Sequence, residues 1–159
     1  MEKMKVVLVD VDGTIAKIDH RLYLVKKTPK DWEGFYDASV KDEPLTENIK
    51  MIKEDMAKLE ATPVFVTGRS AVIRNQTAKW IYEHFFGLDK EDPSEDFLRH
   101  LFMRKEGDHR EDHVVKKEIF DLHLVSYDIL RAYEDRPRVV RMYRGLGLDV
   151  VDLGPGYEF

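Results

Sequence analysis

An α/β fold, with a mostly parallel central sheet flanked by helices, is what this sequence predicts, and three observations predict it. Short apolar runs rich in β-branched residues recur at 6–9, 63–67 and 129–133, of the kind a strand buried on both faces needs. Between them lie stretches whose apolar residues return every three or four positions, the stripe of an amphipathic helix. Each run also ends abruptly in polar residues: Asp10 and Asp12 after the first, Thr67 after the second, Glu134 and Asp135 after the third. Strand and helix alternating in this way imply parallel strands whose carboxyl ends share one edge. Open α/β sheets bind their ligands there.

In chain order, the first strand is read at 6–9 and stops at Asp10, with Gly13 allowing a tight turn and Thr14 supplying a hydroxyl. Thr28, Pro29 and Asp31 read as an N-cap, a proline at the first helical position and an acid in the first turn of a short helix carrying Trp32, Phe35 and Tyr36. Residues 42–44 break it. Ile49, Ile52, Met56 and Leu59 then mark a helix that should pack on the sheet. The second strand, 63–67, is followed by Gly68, Arg69 and a helix over 71–86, with Ile73, Thr77, Trp80, Ile81 and Phe85 on one face and Gly87 as its stop. Residues 88–95, acidic and broken by Pro93, read as an exposed loop, and 97–103 as a weaker strand. Asp112 reads as the N-cap of a helix carrying Val115, Ile119 and Leu122. A strand at 129–133, a helix at 137–145 and a closing strand at 149–153 complete the series.

The chain has 159 residues, most simply one domain of about the size that buries most of its unfolded surface. The absence of cysteine excludes a disulfide framework and a thiolate metal site. No apolar run approaches the roughly 20 residues of a membrane span, and Glu2 and Lys3 do not begin a signal peptide. The default expectation is a soluble cytoplasmic protein with no membrane partner. A net charge of −5 argues against general coating of DNA, although a local basic surface could still hold a phosphate chain.

Asp10 and Asp12 could simply cap a turn. A calcium loop is set aside, because Gly13 comes one residue after the second acid and position twelve would be Arg21. The six histidines show no metal-ligand spacing on one helix; His109 and His113, four apart, straddle a loop and a helix start.

Asp10-Val11-Asp12-Gly13-Thr14, Thr67, Lys116 and Glu134-Asp135, in this order on strands of the right character, resemble the four motifs of the haloacid-dehalogenase superfamily of phosphotransferases. The likeness covers nearly the whole chain and implies that superfamily's Rossmann-like fold, with a small helical cap inserted at about 17–61. The runs 103–110, 114–120, 134–136, 139–144 and 154–159 are similar to the 3′-phosphatase domain of bacteriophage polynucleotide kinase-phosphatase. Glu134 departs from the aspartate of that domain. The sequence contains no Gly-x-x-x-x-Gly-Lys-Ser/Thr phosphate loop, so no kinase half is present in it.

This resemblance implies a Mg²⁺-dependent phosphomonoesterase. Asp10 is then metal ligand and nucleophile, Asp12 general acid and base with its backbone carbonyl on the metal, Asp135 the second carboxylate ligand, and Glu134 a ligand through water or a support. Thr67 and Lys116 would act on the phosphoryl group, although on spacing alone Lys116 could be an ordinary solvated lysine. Thr14, Gly68, Arg69, Arg104 and Arg110 are candidates for substrate contact.

The implied substrate is a 3′-phosphorylated DNA or RNA end. Free nucleotides or another small phosphorylated metabolite, or a non-catalytic module binding nucleic-acid ends, are the alternatives; a separate kinase or ligase is a possible partner. Arg138, Arg141 and Arg144 could extend a basic track or form a solvated helix face. Trp32, Phe35 and Tyr36 could stack bases or be plain core.

Overall fold

The computed structural model describes residues 2–89, 92–157 and 159. Strand β1 (Lys5–Val9) leads through β2 (Ala16–Lys17), α1 (Tyr23–Lys26), α2 (Trp32–Asp37) and β3 (Glu43–Pro44) to the long helix α3 (Thr46–Leu59). Then come β4 (Thr62–Ser70), α4 (Arg74–His84), α5 (Glu95–Leu98), β5 (Leu101–Arg104), α6 (Asp112–Ile119), β6 (Asp128–Glu134), α7 (Pro137–Gly145) and β7 (Val150–Asp152). Five of the strands form one parallel sheet in the order β5-β4-β1-β6-β7, and β2 pairs antiparallel with β3.

The predicted α/β architecture is therefore present, with β1 at its centre. From β1 the chain first builds outward through β4 and β5, then returns to build β6 and β7 on the other side. Strand order thus reverses at β1, which places a ligand crevice at its carboxyl end.

Alternation along β1 divides the core in two. Val7 and Val9 face Ile49 and Ile52 of α3 and Trp80, Ile81 and Phe85 at the α4 side. Val6 and Leu8 face Val115 and Ile119 of α6 and Val139, Val140 and Tyr143 of α7. Val6, Val7, Leu8 and Val9 are all buried, as the unbroken apolar run requires of a central parallel strand. Ile18, Val25 and Phe35 form a third cluster that belongs to the segment between β2 and β3, with Trp32, Tyr36, Tyr157 and Phe159 packed against it.

Several local expectations are corrected. Asp31, not Thr28, caps α2: its carboxylate accepts from the Gly34 amide at 2.9 Å, so the helix begins three residues later than Pro29 marked. Phe97 and Leu98 lie in α5, capped by Ser94, and the strand begins only at Leu101. The aromatic ring that read as strand material packs instead on Tyr82 and Phe65. The loop expected at 88–95 includes Lys90 and Glu91, which lie outside the described residues, as does Glu158 of the terminal motif.

Asp112 is the first residue of α6 rather than its cap. Its carboxylate is taken by Arg104 and Arg136, because charge-assisted bonds from guanidinium outcompete a backbone amide. A π turn at Phe120–Leu124 then rotates the helical register, so that Leu124 is fully buried and Leu122 is 63% exposed.

That rotation has a measurable consequence. Leu124→Ala is expected to cost about 2–5 kcal/mol in urea denaturation, whereas Leu122→Ser should stay within about 0.5 kcal/mol. A reversed order would place the apolar face where the uninterrupted helical period puts it.

Candidate active site

The carboxyl ends of β1, β4 and β6 converge with the start of α6. Asp10 follows the last residue of β1, and its amide still donates to the Tyr133 carbonyl of β6 at 3.1 Å. Its Oδ1 accepts from Lys116 Nζ at 2.8 Å and its Oδ2 from Thr14 Oγ1 at 2.8 Å. Lys116 also donates to Glu134 Oε1 at 2.6 Å, so one ammonium joins two carboxylates from adjacent strands. Burial alone would push the Lys116 pKa down, but the charges of Asp10 and Glu134 outweigh it and hold the ammonium firmly protonated.

Glu134 turns its other oxygen inward, where Oε2 accepts from the backbone amides of Asp135 at 3.0 Å and Arg136 at 3.4 Å. Asp135 is 1% exposed, and its Oδ2 has no hydrogen-bond partner among the described residues. Gly13, at φ +83°, lies so close that a Cβ there would collide with the Asp135 carboxylate.

Ligand oxygens of Asp10, Glu134 and Asp135 all lie within 4.8 Å of one another. Three buried carboxylates against one lysine leave an excess of negative charge, and the orphaned Asp135 oxygen lacks any donor. A divalent cation answers both deficits, so the donor set fits a hard metal. Asp12 does not place its side chain in this cluster; only its backbone carbonyl is left to serve the metal expectation.

The Asp12 side chain is held elsewhere. Its Oδ1 accepts from Arg21 Nη2 and from Arg69 Nε, both at 2.9 Å, while Oδ2 has no protein partner among the described residues. Burial favours the neutral acid, but the Arg69 and Arg21 charges prevail and lower its pKa. Asp42 holds the two guanidiniums in turn: Arg21 Nε donates to its Oδ1 at 2.8 Å, and Arg69 Nη2 to its Oδ2 at 2.8 Å. Arg21 further donates to the Phe35 carbonyl and lies over the Phe35 ring at 4.3 Å.

Thr67 is buried within β4, which runs on to Ser70 past the expected end at 67 with a register shift between Thr67 and Ser70, and its Oγ1 accepts from the Arg69 amide at 3.1 Å. Its hydroxyl proton remains available to a ligand. Gly68 has its carbonyl bonded by Arg104 Nε at 2.8 Å and leaves no room for a Cβ against Asp112.

The three arginines expected to touch substrate all line the cleft, but each is already engaged. Arg69 secures Asp12 and Asp42, and Arg104 secures Gly68, the 108–110 carbonyls and Asp112. Arg110 pairs with Asp108 and Glu118. Their guanidiniums shape the wall, and substrate contact would have to share those donors.

Sequence reading missed four residues of this network. Arg21 was noted only in setting aside a calcium loop and Asp42 only as part of a helix breaker, and nothing local marks a pair 21 positions apart. Asp112 was read as a cap. Arg136 reached notice only inside a motif; its Nη1 donates to Asp112 Oδ2 at 2.5 Å and its Nε to the Tyr157 carbonyl at 3.1 Å.

The cleft above these groups has a volume of about 740 Å³. Asp10, Asp12 and Asp135 line it together with the aromatic rings of Trp32, Phe35 and Tyr36 and several basic side chains. Fold and site together define a phosphatase domain of the haloacid-dehalogenase type. More narrowly, the chain belongs to the family described as the polynucleotide kinase PNKP phosphatase domain, which it matches over residues 4–157.

A protein of Autographa californica nuclear polyhedrosis virus, assigned as a bifunctional polynucleotide kinase/RNA ligase, is 28% identical over 148 residues, or 92% of this chain and 19% of the viral protein. A chain of the Pnkp1/Rnl/Hen1 complex superposes with a TM-score of 0.72 at 23% identity, across 99% of this chain and 48% of that one. The class C acid phosphatase of Bacillus anthracis, with tungstate bound, gives a TM-score of 0.64 at 15% identity, across 99% of this chain and 69% of its own. The chain thus spans about a fifth of the viral relative and about half of the Pnkp1-complex chain. Among the described residues, no helix is long and apolar enough to cross a membrane.

Metal binding should show in stability. Burial, then the neighbouring Asp10 charge, raise the Glu134 and Asp135 carboxyls well above the ordinary carboxylate range. From about pH 4 up through those raised values the folded state therefore holds protons that the unfolded chain has released, and stability falls as pH rises. Mg²⁺ competes with those protons. The melting temperature of chelator-treated protein is expected to fall between about pH 6 and pH 9, and the increase given by Mg²⁺ to grow across the same interval. A Mg²⁺ effect independent of pH would contradict this site.

Proposed function

We propose that this domain removes 3′-phosphates from nucleic-acid ends as a Mg²⁺-dependent phosphomonoesterase, through an aspartyl-phosphate on Asp10. The observation that carries the reading is the grouping of Asp10, Lys116 and Asp135 beside a separately held Asp12, in a chain of the PNKP phosphatase family. Asp10 and Asp135 are the proposed metal ligands, with the Asp12 carbonyl, and Glu134 braces them. When bound, Mg²⁺ supplies positive charge that lets an anionic carboxylate and an anionic phosphate approach.

The chain's own groups then have separable tasks. An Asp10 oxygen attacks phosphorus; the bond from phosphorus to the 3′ oxygen breaks, and Asp12 Oδ2 delivers the proton that the leaving alcohol needs. Asp12 next accepts a proton from water, which attacks phosphorus and releases inorganic phosphate and free Asp10. Lys116 balances charge as the Asp10 oxygen changes from carboxylate to acyl phosphate, and Thr67 donates to a phosphoryl oxygen. The low pKa of Asp12 favours its base role at rest, and the negative charge of a bound phosphate raises it toward the acid role.

The position of Arg69 supports a role in aiming Asp12, and that of Thr14 a role in orienting Asp10. We place the cap at about 17–61, the segment that contributes Ile18, Lys30, Trp32, Phe35 and Tyr36 to the cleft lining. A 3′-hydroxyl end is what a ligase consumes, so a kinase or ligase partner fits this step. The kinase and ligase activities in the relatives' names remain those of the relatives.

Asp10→Asn is expected to abolish turnover with the fold intact by circular dichroism; appreciable remaining activity would remove Asp10 as nucleophile. Asp12→Asn should lower kcat about 10²- to 10⁴-fold on alkyl phosphates and much less on p-nitrophenyl phosphate, whose leaving group needs no proton. Equal loss on both would count against the general acid.

The substrate class is tested with 3′- and 5′-phosphorylated oligonucleotides, 3′-mononucleotides and a sugar phosphate, each with and without Mg²⁺. Preference for the 3′-phosphorylated oligonucleotide supports the proposal. Equal rates on mononucleotides would favour a small-metabolite phosphatase, and tight end binding without turnover a silent binding module.

A further inference from the structure

Almost every arginine of this chain is spoken for. Arg21, Arg69, Arg104, Arg110, Arg131, Arg136 and Arg138 are paired with carboxylates. Arg74 and Arg144 donate to backbone carbonyls, and Arg99 lies 3.9 Å from Asp96. Arg141 stands apart: it is exposed, lines the cleft and has no hydrogen-bond or ion-pair partner among the described residues. Its neighbour on the same helix face, Arg138, is neutralised by Glu111 at 2.8 Å.

Position explains what a free guanidinium could do there. Helix α7 starts two residues after Asp135, and Arg141 lies four residues beyond Pro137, about 6 Å along the helix axis. It therefore lies one turn along α7 from the helix end that adjoins the proposed metal ligand, on a rigid element that lines the cleft. A cleft of about 740 Å³ is of small-ligand size and can enclose about one nucleotide, so a longer strand must leave across the rim. With the 3′-phosphate at Asp10, the next phosphate along the strand is the phosphodiester on the 5′ side of the terminal nucleotide.

We infer that Arg141 forms a subsite for that internucleotide phosphate, and so separates a polynucleotide 3′ end from a free 3′-nucleotide. The inference rests on the polynucleotide reading proposed above. A planar guanidinium can grip both non-bridging oxygens of a phosphodiester, which a lysine cannot do with one fork. Lys30 and Lys105, exposed at the same cleft, carry charge without that geometry. Because the whole protein bears −5, affinity for a strand must come from such local cations, and each one counts.

The test compares wild type, Arg141→Ala and Arg141→Lys in kcat and KM on three compounds: a 3′-phosphorylated ten-residue oligonucleotide, a 3′-mononucleotide without a 5′-phosphate, and p-nitrophenyl phosphate. Arg141→Ala is expected to raise KM for the oligonucleotide about five- to tenfold, change its kcat less than twofold, and shift kcat/KM for the other two less than twofold. The slope of log(kcat/KM) against log[salt] for the oligonucleotide should become shallower by about one unit, and Arg141→Lys should restore part of the KM.

A wild-type oligonucleotide preference that survives in Arg141→Ala, or equal losses on all three compounds, overturns the Arg141 subsite alone. A wild type that shows no preference for the oligonucleotide overturns the polynucleotide reading, and the subsite with it.

Discussion

One ammonium group holds this site together. Lys116 bridges Asp10 at the end of β1 and Glu134 at the end of β6, and without it two buried carboxylates on adjacent parallel strands would repel each other at close range. The lysine arrives from α6, whose Val115 and Ile119 are buried against the sheet face formed by Val6 and Leu8. Apolar packing therefore fixes where the charge sits. The pairing is incomplete in charge: Lys116 offsets one of the two charges it bridges and leaves Asp135 with its unpartnered oxygen, so the arrangement stays receptive to a cation. A fully neutralised cluster would have been a stable salt-bridge network with no reason to take up a metal.

A second network lies beside the first and shares no side chain with it. Asp12, Arg21, Arg69 and Asp42 alternate in sign, and the carboxylate of Asp42 lies at the junction before β3, inside the segment that carries the aromatic wall. Trp80 of α4 adds a bond from Nε1 to the Asp42 carbonyl at 2.9 Å. The orientation of Asp12 is thus tied to the placement of the inserted segment, while Asp10 is tied to the sheet. Two carboxylates two residues apart are set in different electrostatic surroundings, which is what distinct nucleophile and acid-base roles require.

Much of this was legible in the sequence because it depends on position along strands. Val6, Val7, Leu8 and Val9 could only be a buried strand, and polar residues directly after it had to lie at the crevice edge. The same reasoning placed Asp135 directly after β6, whereas at Thr67 it ended the strand three residues before β4 stops at Ser70. It failed where contacts cross between elements. Nothing in the spacing of Arg21 and Asp42 announces a buried pair, and Leu122 was assigned inward by a helical period that the π turn at Phe120–Leu124 interrupts. Phe97 misled for another reason: an aromatic residue that favours strands is also suited to fill the space between Tyr82 and Phe65 from a short helix. Arginine-rich motifs conveyed where positive charge would collect, but not that carboxylates would absorb nearly all of it.

That absorption bears on how the domain can divide its labour. An arginine already held by a carboxylate and a carbonyl, as Arg104 is by Asp112 and Gly68, is pre-organised; it can add a phosphate contact but cannot move to follow a strand. Rigid groups of this kind suit the reacting phosphate, whose position must be fixed to within fractions of an ångström. Recognition of a longer chain tolerates looser geometry and needs reach, which only unpaired side chains at the mouth of the cleft retain. The sheet edge and its engaged arginines can therefore be common to phosphatases with different substrates, while the subsite inferred at the single free guanidinium on α7 would set which substrate is preferred.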